Sequence, residues 1–430
     1  MKSFTKMRMR YSFSPLARNA GWLLMGQGTG LALQAVYFVV VARLLGVKEY
    51  GIFVGAFALT GLVAQYSALG TGTVLLRYVS GNRSLFAAYW GNVLVVTTGV
   101  SALLFVLIGL LGKYCVSPAS ASLLMLSAAA NCLCAQLTVE TARVFQAFEK
   151  MRLTALLNLL TNLMRMIAAL AMLVVMHHAS ARQWAVAATV VSSLSAAVAI
   201  GTVTVHFGWP TLDQGLFHKH WAEGVEYAFA TSSASIYNDL DKTMLSHYGM
   251  NAANGIYTMA YRVIDIATMP VISIRDAAMP RLFSHGRNGM AAASELSNRL
   301  LKRALLVGLF VTIVLFIASP LVPRILGRGF ADSAEALRWL CLIPLFRSVH
   351  LMAGSALTGA GMQRLRTTSQ LTAAIVNFLL NLWLIPEYGW HGAAWSSLAT
   401  DGALSAMNWG MLVIITKRAE VNTGRSMAGK

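Results

Sequence analysis

Apolar residues along this chain fall into twelve long runs separated by short polar breaks. The runs lie near 19–44, 50–79, 86–111, 119–146, 152–176 and 183–206, and then near 223–248, 252–280, 299–322, 334–360, 366–385 and 389–416. A helix crossing a bilayer needs roughly 20 apolar residues, and each run supplies about that length. The breaks carry turn or charge signals, such as Gly46-Val47-Lys48-Glu49, Ser80-Gly81-Asn82-Arg83 and Pro386-Glu387-Tyr388-Gly389. The pattern predicts an all-α polytopic membrane protein with about twelve transmembrane helices. The first run is too long for a signal-peptide core and reads as an uncleaved span. The longest connections, about 207–222 and 281–298, are too short for a soluble domain.

Composition then decides what the charge means. The chain carries 34 Lys plus Arg against 16 Asp plus Glu, a net charge of +18, yet only 12% of residues are charged and 57% are hydrophobic. Nucleic-acid binders spread such an excess over a polar surface, which this chain lacks, so no nucleic-acid partner is expected. Disorder is excluded by the same hydrophobicity. With the N-terminus placed in the cytoplasm, 22 Lys and Arg fall on the inner side, 7 on the outer, and five within spans. Basic residues concentrate on the cytoplasmic side of membrane proteins, so both termini are expected inside, facing anionic headgroups of membrane lipids.

The two halves of the chain echo each other. Gly46-Val47-Lys48-Glu49-Tyr50-Gly51-Ile52-Phe53 matches Gly249 to Tyr257, with Asn254-Gly255-Ile256-Tyr257 as the shared core. Asn158 and Asn162 match Asn377 and Asn381, and Ser192-Ser193-Leu194 matches Ser396-Ser397-Leu398, at offsets of about 204 to 219 residues. The expected organisation is an N-terminal lobe at 1–210 with spans 1–6 and a C-terminal lobe at 211–430 with spans 7–12. An even number of spans per repeat makes the repeat parallel, with a substrate path between the lobes near the midplane.

Charges within the spans are costly and need a partner, a wet cavity or a function. Arg262 and Asp265, like Asp239 and Lys242, are spaced i, i+3 and can pair on one helix face. Arg165, Arg347 and Asp401 have no such partner on their own helices, so each must face another helix or a cavity. Neutral polar residues form stripes: Asn158 and Asn162 with Arg165, Gln370, Asn377 and Asn381, Asp401 with Ser405 and Asn408, and Gln27 with Gln34. Each spacing puts its set on one helix face. Interhelical hydrogen bonding is the ordinary use of any single such residue; four stripes on four helices suit a wet central cavity.

Enzyme and metal chemistry find little support. Gly26-Gln27-Gly28-Thr29-Gly30 has no strand before it, so it fails as a dinucleotide loop and is expected to be a close helix contact. The histidines show no ligand spacing within a span, and Cys115, Cys132, Cys134 and Cys341 sit in or beside apolar runs as packing residues. No cofactor, metal or catalytic group is expected. Pro270, Pro280 and Pro344 are candidates for helix kinks.

Ala42-Arg43-Leu44-Leu45-Gly46 with Tyr50-Gly51-Ile52-Phe53 resembles the start of the Wzx-type polysaccharide flippases. Gly70-x-Gly72 with Leu76-Arg77-Tyr78, then Asp241-Lys242, Ala260-Tyr261-Arg262, Pro280, Gly359-x-Gly361 and Gly392-Ala393-Ala394, are similar to that family along nearly the whole chain. The resemblance implies membership of the exporter superfamily that includes multidrug MATE transporters and lipid II flippases, with two six-helix lobes forming a V. It implies a bacterial inner-membrane transporter that moves undecaprenyl-pyrophosphate-linked oligosaccharide to the periplasmic leaflet for O-antigen or exopolysaccharide synthesis. Contact with the polymerase machinery is implied too.

Physical chemistry agrees with that substrate. Guanidinium groups suit phosphate oxygens, which marks Arg165, Arg262 and Arg347, with Lys242. Asn158, Asn162, Asn377 and Asn381 would meet glycan hydroxyls, and Tyr257, Tyr261 and Trp390 could pack on sugars. Asp401 or Asp241 could couple transport to H+ or Na+. The alternative is a MATE-like cation exporter, which would favour acidic, aromatic cavities. A polymerase or ligase would need a longer outer loop than this chain has.

Overall fold

The computed structural model describes residues 15–287 and 289–428. Lys2, Lys6, Arg8, Arg10 and Lys430, counted above for orientation, lie outside it, as does the side chain of Gln27. Every regular element among the described residues is helical, and each of the twelve apolar runs coincides largely with helix. They are α1 (Pro15–Ala64), α2 (Thr71–Gly81), α3 (Phe86–Leu111), α4 (Pro118–Ala121), α5 (Leu124–Ala128), α6 (Gln136–Ala147), α7 (Met151–Met176) and α8 (Ala181–Phe207). The second half comprises α9 (Gln214–His247), α10 (Asn251–Arg287), α11 (Met290–Ala318), α12 (Val322–Leu326), α13 (Asp332–Leu340), α14 (Ile343–Gly359), α15 (Gln363–Tyr388) and α16 (Trp390–Ala428).

Spans 1 and 2 meet at Gly46, which breaks α1 with φ 70 and ψ 173. A side chain there would clash with its own backbone, so glycine takes the turn at little cost. The two arms fold back on each other: Tyr37 on the first and Phe53 on the second both touch Trp184 of α8. Three spans are less regular than expected. Span 2 is interrupted by a turn between Ala64 and Thr71, with positive φ at Leu69 and Gly70. Span 10 breaks between α13 and α14 with a 43° bend, and α14 carries Pro344 in its first turn, where its missing N–H does no harm. Span 4 is divided into α4, α5, a π-helical stretch at Ala129–Ala135 and α6. By contrast α10 continues through Pro270 and Pro280.

Helix pairing repeats between the halves. α1 packs on α7 as α9 packs on α15, α2 on α3 as α10 on α11, α2 on α6 as α10 on α14, and α7 on α8 as α15 on α16. Gly26 and Gly30 serve the first of these. A Cβ on Gly26 would lie 2.8 Å from Ala155 Cβ, and one on Gly30 would lie 3.2 Å from Asn162 Nδ2.

Among the described residues, seven helices are long and apolar enough to cross a membrane on their own. α9 and α10 are long enough but too polar, because between them they carry Asp239, Asp241, Lys242, Arg262, Asp265, Arg275 and Asp276. They also make most of the contact between the second half and the first, with a smaller share from the segment around α12, where Arg43 Nε donates to the Ile325 carbonyl at 2.7 Å. At the end of the bundle holding Gly46 and Gly249, here the upper end, the contact is reciprocal. A Cβ on Gly51 would sit 1.7 Å from the Asn251 carbonyl oxygen, and one on Gly255 would sit 2.1 Å from that of Val47. Asn254 Nδ2 donates to the Gly51 carbonyl at 3.2 Å, and Ser246 donates to Ser120 at 2.9 Å. At the lower end Gly70 and Gly224 make a similar backbone approach, beside an Arg77–Glu223 ion pair of 2.6 Å.

These approaches leave no room for a methyl group, and overpacking costs about 1–3 kcal/mol. Gly51→Ala and Gly255→Ala are therefore expected to lower the thermal midpoint of the purified protein, each by several degrees. Gly201→Ala, where an added Cβ meets nothing within 4 Å, should leave it unchanged or slightly raised. Equal midpoints for all three would show that the upper contact is loose.

Candidate functional site

Directly beneath the upper contact lies a cavity of about 260 Å³. Both arms of α1 form one wall, with Gln34, Tyr37 and Phe38 on the first and Tyr50, Phe53 and Phe57 on the second. Asn162 and Arg165 reach in from α7, Ser192 from α8, Asp239 and Lys242 from α9, and Arg262 from α10. Asn131 comes from the π-helical stretch, which is a common device for aiming a side chain at a functional site. Its Nδ2 bonds to Thr60 Oγ1 at 2.9 Å and to the Phe57 carbonyl at 3.2 Å.

The cavity is cationic. Three basic groups line it against one carboxylate, Asp239. Asp239 Oδ1 accepts from Lys242 Nζ at 2.7 Å, the pair expected from their spacing. The other expected pair is weak, since Arg262 and Asp265 approach only to 4.0 Å. Arg262 instead lies over the Phe38 ring, 5.0 Å from its centroid, and its Nε is buried with no hydrogen-bond partner among the described residues. Arg165 lines the cavity, and among the described residues no ion pair joins it to a carboxylate. With these cations stand the amides of Gln34, Asn131 and Asn162 and a run of aromatic faces, including Phe53 and Phe57 at 4.3 Å. Such a site can hold a polyanion, hydrogen-bond hydroxyls, and stack flat apolar surfaces.

Several residues expected in the cavity lie elsewhere. Arg347 is buried on α14, where Nη1 donates to Asp265 Oδ1 at 3.0 Å and Nη2 to Tyr261 Oη at 3.0 Å. Its partner is on a neighbouring helix, which own-helix spacing does not show. Asn377 and Asn381 are buried in the α15–α16 contact: Asn377 Nδ2 donates to Ser396 and Thr400, and Asn381 Nδ2 donates to Asn377 Oδ1 at 2.9 Å. Asn377 thus joins α15 to α16, Asn381 bonds within α15, and neither lines the cavity. Asn158, one helical turn before Asn162, is exposed on α7. Tyr257 and Tyr261 are core residues, and Trp390 is buried against His391.

The two acids expected to couple an ion are buried outside the cavity lining. Asp241 accepts from Tyr257 Oη and from the Lys242 backbone N–H at 2.7 Å, with Ser397 Oγ at 3.3 Å. Asp401 Oδ1 lies 3.5 Å from His350 Nε2. Neither His350 nor Asn131 stands out in the sequence. In both cases the available signal is a lone polar residue inside an apolar run.

The same helical architecture is found in solved membrane transporters. The structure is similar to a lipid II flippase, MurJ, in an inward closed conformation, with a TM-score of 0.75 at 13% identity over 93% of this chain and 90% of that one. An inward-facing multidrug resistance MATE transporter of the MOP superfamily gives 0.73 at 13% identity over 91% and 95%. An outward-facing conformation of a multidrug resistance MATE transporter of that superfamily gives 0.64 at 12% identity over 94% and 98%. No curated protein sequence matches the chain. The chain belongs to the polysaccharide biosynthesis protein family, whose model matches residues 16–285.

The Arg347–Asp265 pair is a structural test of this layout. Removing one partner of a charge-assisted hydrogen bond costs about 1.5–3 kcal/mol. Arg347→Ala should destabilise the protein by about that amount, and adding Asp265→Ala should recover part of the loss. Strict additivity of the two changes in thermal unfolding would mean that the pair does not form.

Proposed function

We propose that this chain is a flippase for lipid-linked oligosaccharide, carrying undecaprenyl-pyrophosphate-linked repeat units across the bacterial cytoplasmic membrane for surface polysaccharide assembly. The observation that carries this reading is the cavity, where Arg165, Lys242 and Arg262 outnumber Asp239 and stand beside three neutral amides. A pyrophosphate cannot cross hydrocarbon unaided. Fixed guanidinium groups can hold it bidentately, while Gln34, Asn131 and Asn162 can meet sugar hydroxyls and the α1 aromatics can stack on sugar faces. Family membership supports the polysaccharide pathway. In this reading both termini are cytoplasmic, the lobes are residues 1–210 and 211–430, and the upper end is periplasmic. The matched helix pairs of the two halves support that division.

Transport would proceed by alternating access, the two lobes opening in turn to each leaflet around the cavity. The buried acids Asp241 and Asp401 are the candidates for coupling to H+ or Na+. Neither needs to touch the substrate to act. A proton or ion that neutralises a buried carboxylate changes the cost of the helix packing around it. A cation exporter of the MATE kind is disfavoured by the same cavity charge.

The test is complementation in a host whose surface polysaccharide depends on this chain. Arg165→Ala and Arg262→Ala should each reduce polysaccharide at least tenfold at equal protein level, with lipid-linked repeat units accumulating on the cytoplasmic side. Normal polysaccharide with both changes combined would sink the proposal. Drug resistance that appears with the wild-type chain and no change in glycan would favour the cation exporter.

A further inference from the structure

Three amides line the cavity, and among the described residues only Asn131 is held in one orientation. Its Nδ2 donates to the Phe57 carbonyl at 3.2 Å and to Thr60 Oγ1 at 2.9 Å. A carbonyl can only accept, so the nitrogen end of the amide must face α1. Thr60 agrees with this polarity, because its hydroxyl proton goes to the Ala56 carbonyl at 3.0 Å and leaves Oγ1 to accept. Both N–H groups of Asn131 are thus used. Its Oδ1 receives no donor among the described residues and is left for whatever occupies the cavity. The backbone beneath it is held as well. Ser101 of α3 donates at 2.6 Å to the carbonyl of Cys132, the next residue of the π-helical stretch.

The rest of the cavity offers no equivalent. Arg165, Lys242 and Arg262 only donate. Asp239 accepts, but Lys242 engages its carboxylate at 2.7 Å. Gln34 and Asn162 have no hydrogen-bond partner among the described residues and can turn either end of the amide to a ligand. Asn131 therefore presents a fixed acceptor among donors. Its surroundings suit a sugar ring. Phe57, whose carbonyl anchors the amide, stands with Phe53 on the cavity wall, their ring centroids 4.3 Å apart. A sugar packed on these rings brings its edge groups to Oδ1. Arg262 stands beside Tyr50 and Phe38. Tyr50 precedes Phe57 by seven residues on the same arm, about 10 Å at 1.5 Å per residue. A pyrophosphate held by Arg262 thus leaves the sugar it carries within reach of Asn131.

We infer that Asn131 is the specificity-determining residue of the cavity, requiring a hydrogen-bond donor, O–H or N–H, on the sugar that packs against Phe53 and Phe57. Thr60 is its positioning residue. The inference rests on the flippase reading above and adds to it the polarity of one sugar contact. A sugar without the donor leaves Oδ1 unpaired, and one with an acceptor in its place sets two acceptors against each other. A site built on a hydrogen bond rejects the analogue that lacks it for this reason.

The test is a cycle between ligand and protein. Binding to the purified full-length chain is measured by native mass spectrometry. The probes are undecaprenyl pyrophosphate, alone and carrying glucose, galactose or N-acetylglucosamine, with the monodeoxy analogues of each sugar and the 2-azido analogue of the last. On the sugar that wild type binds best, loss of one donor should weaken binding about tenfold or more. Asn131→Leu should bind that sugar and its analogue within twofold of each other, and lose no more than twofold on sugar-free undecaprenyl pyrophosphate. Thr60→Val should shrink the discrimination at least threefold, and Thr60→Ser should keep it. Selective loss of the azido analogue assigns the contact to an amide N–H, and loss of a deoxy analogue assigns it to a hydroxyl. Equal binding of every analogue to wild type overturns the inference, and so does discrimination that survives Asn131→Leu. A uniform loss on all probes in Asn131→Leu gives the residue a packing role and overturns it as well. Should Asn131→Leu not fold, Thr60→Val decides, and undiminished discrimination there overturns the inference. If wild type binds none of the pyrophosphate compounds, the flippase reading fails first and this inference falls with it.

Discussion

The arrangement of the molecule depends on two glycines that each accept a carbonyl oxygen where a side chain would stand. Gly51 takes that of Asn251, and Gly255 takes that of Val47. Val47 and Gly51 are the first-half equivalents of Asn251 and Gly255, so one contact is written twice across a pseudo-twofold axis. The approach lets the turn between spans 1 and 2 lie directly against the turn between spans 7 and 8. Everything below it follows in position. Tyr50 and Phe53 hang from one side of the contact and Lys242 and Arg262 from the other, and between them lies the cavity.

Much of this was legible in the sequence, because hydrocarbon thickness sets a length that apolar runs must match. The twelve runs are largely helix, three of them interrupted by turns, and the Gly46 and Gly249 breaks are turns. Local ion pairs were half legible. Asp239 and Lys242 do pair, but Asp265 turns mainly to Arg347. The difference lies in helix rotation. Spacing says which residues share a face, not which way the face points, and Asp265 faces α14. The same uncertainty sent Asn377 and Asn381 to a helix contact and Asn162 to the cavity, although their spacing is alike. The π-helical stretch that carries Asn131 was not legible at all, and neither was the partner of Asn131, Thr60, which stands on a different helix.

Charge is also divided unevenly. In the second half the buried Asp241, Arg347, His350 and Asp401, with the half-exposed Asp265, occupy the space around α10, α14 and α16, whereas the first half has the buried Glu140 paired with Arg143. The first half offers the cavity mostly neutral amides and aromatic rings, together with Arg165. The cavity is thus lined by both halves, while the buried acids Asp241 and Asp401 stand outside it in the second. In that division, substrate and coupling ion would communicate through the shared helix α10, which bears Arg262 toward the cavity and Tyr257, Tyr261 and Asp265 toward the buried acids.

The polarity of α9 and α10 reaches back to how the protein is made. A charged residue at the centre of an isolated helix resists insertion by about 2.5–3.5 kcal/mol, and these two helices carry several. Neither can be expected to settle into the membrane alone. Both pack against α1, and α9 against α2 as well, so the first half is present to receive them when they emerge. Biogenesis would then be sequential, with the earlier helices acting as an intramolecular chaperone for the later ones. The helices hardest to insert would be those that bring Asp239, Lys242 and Arg262 to the cavity.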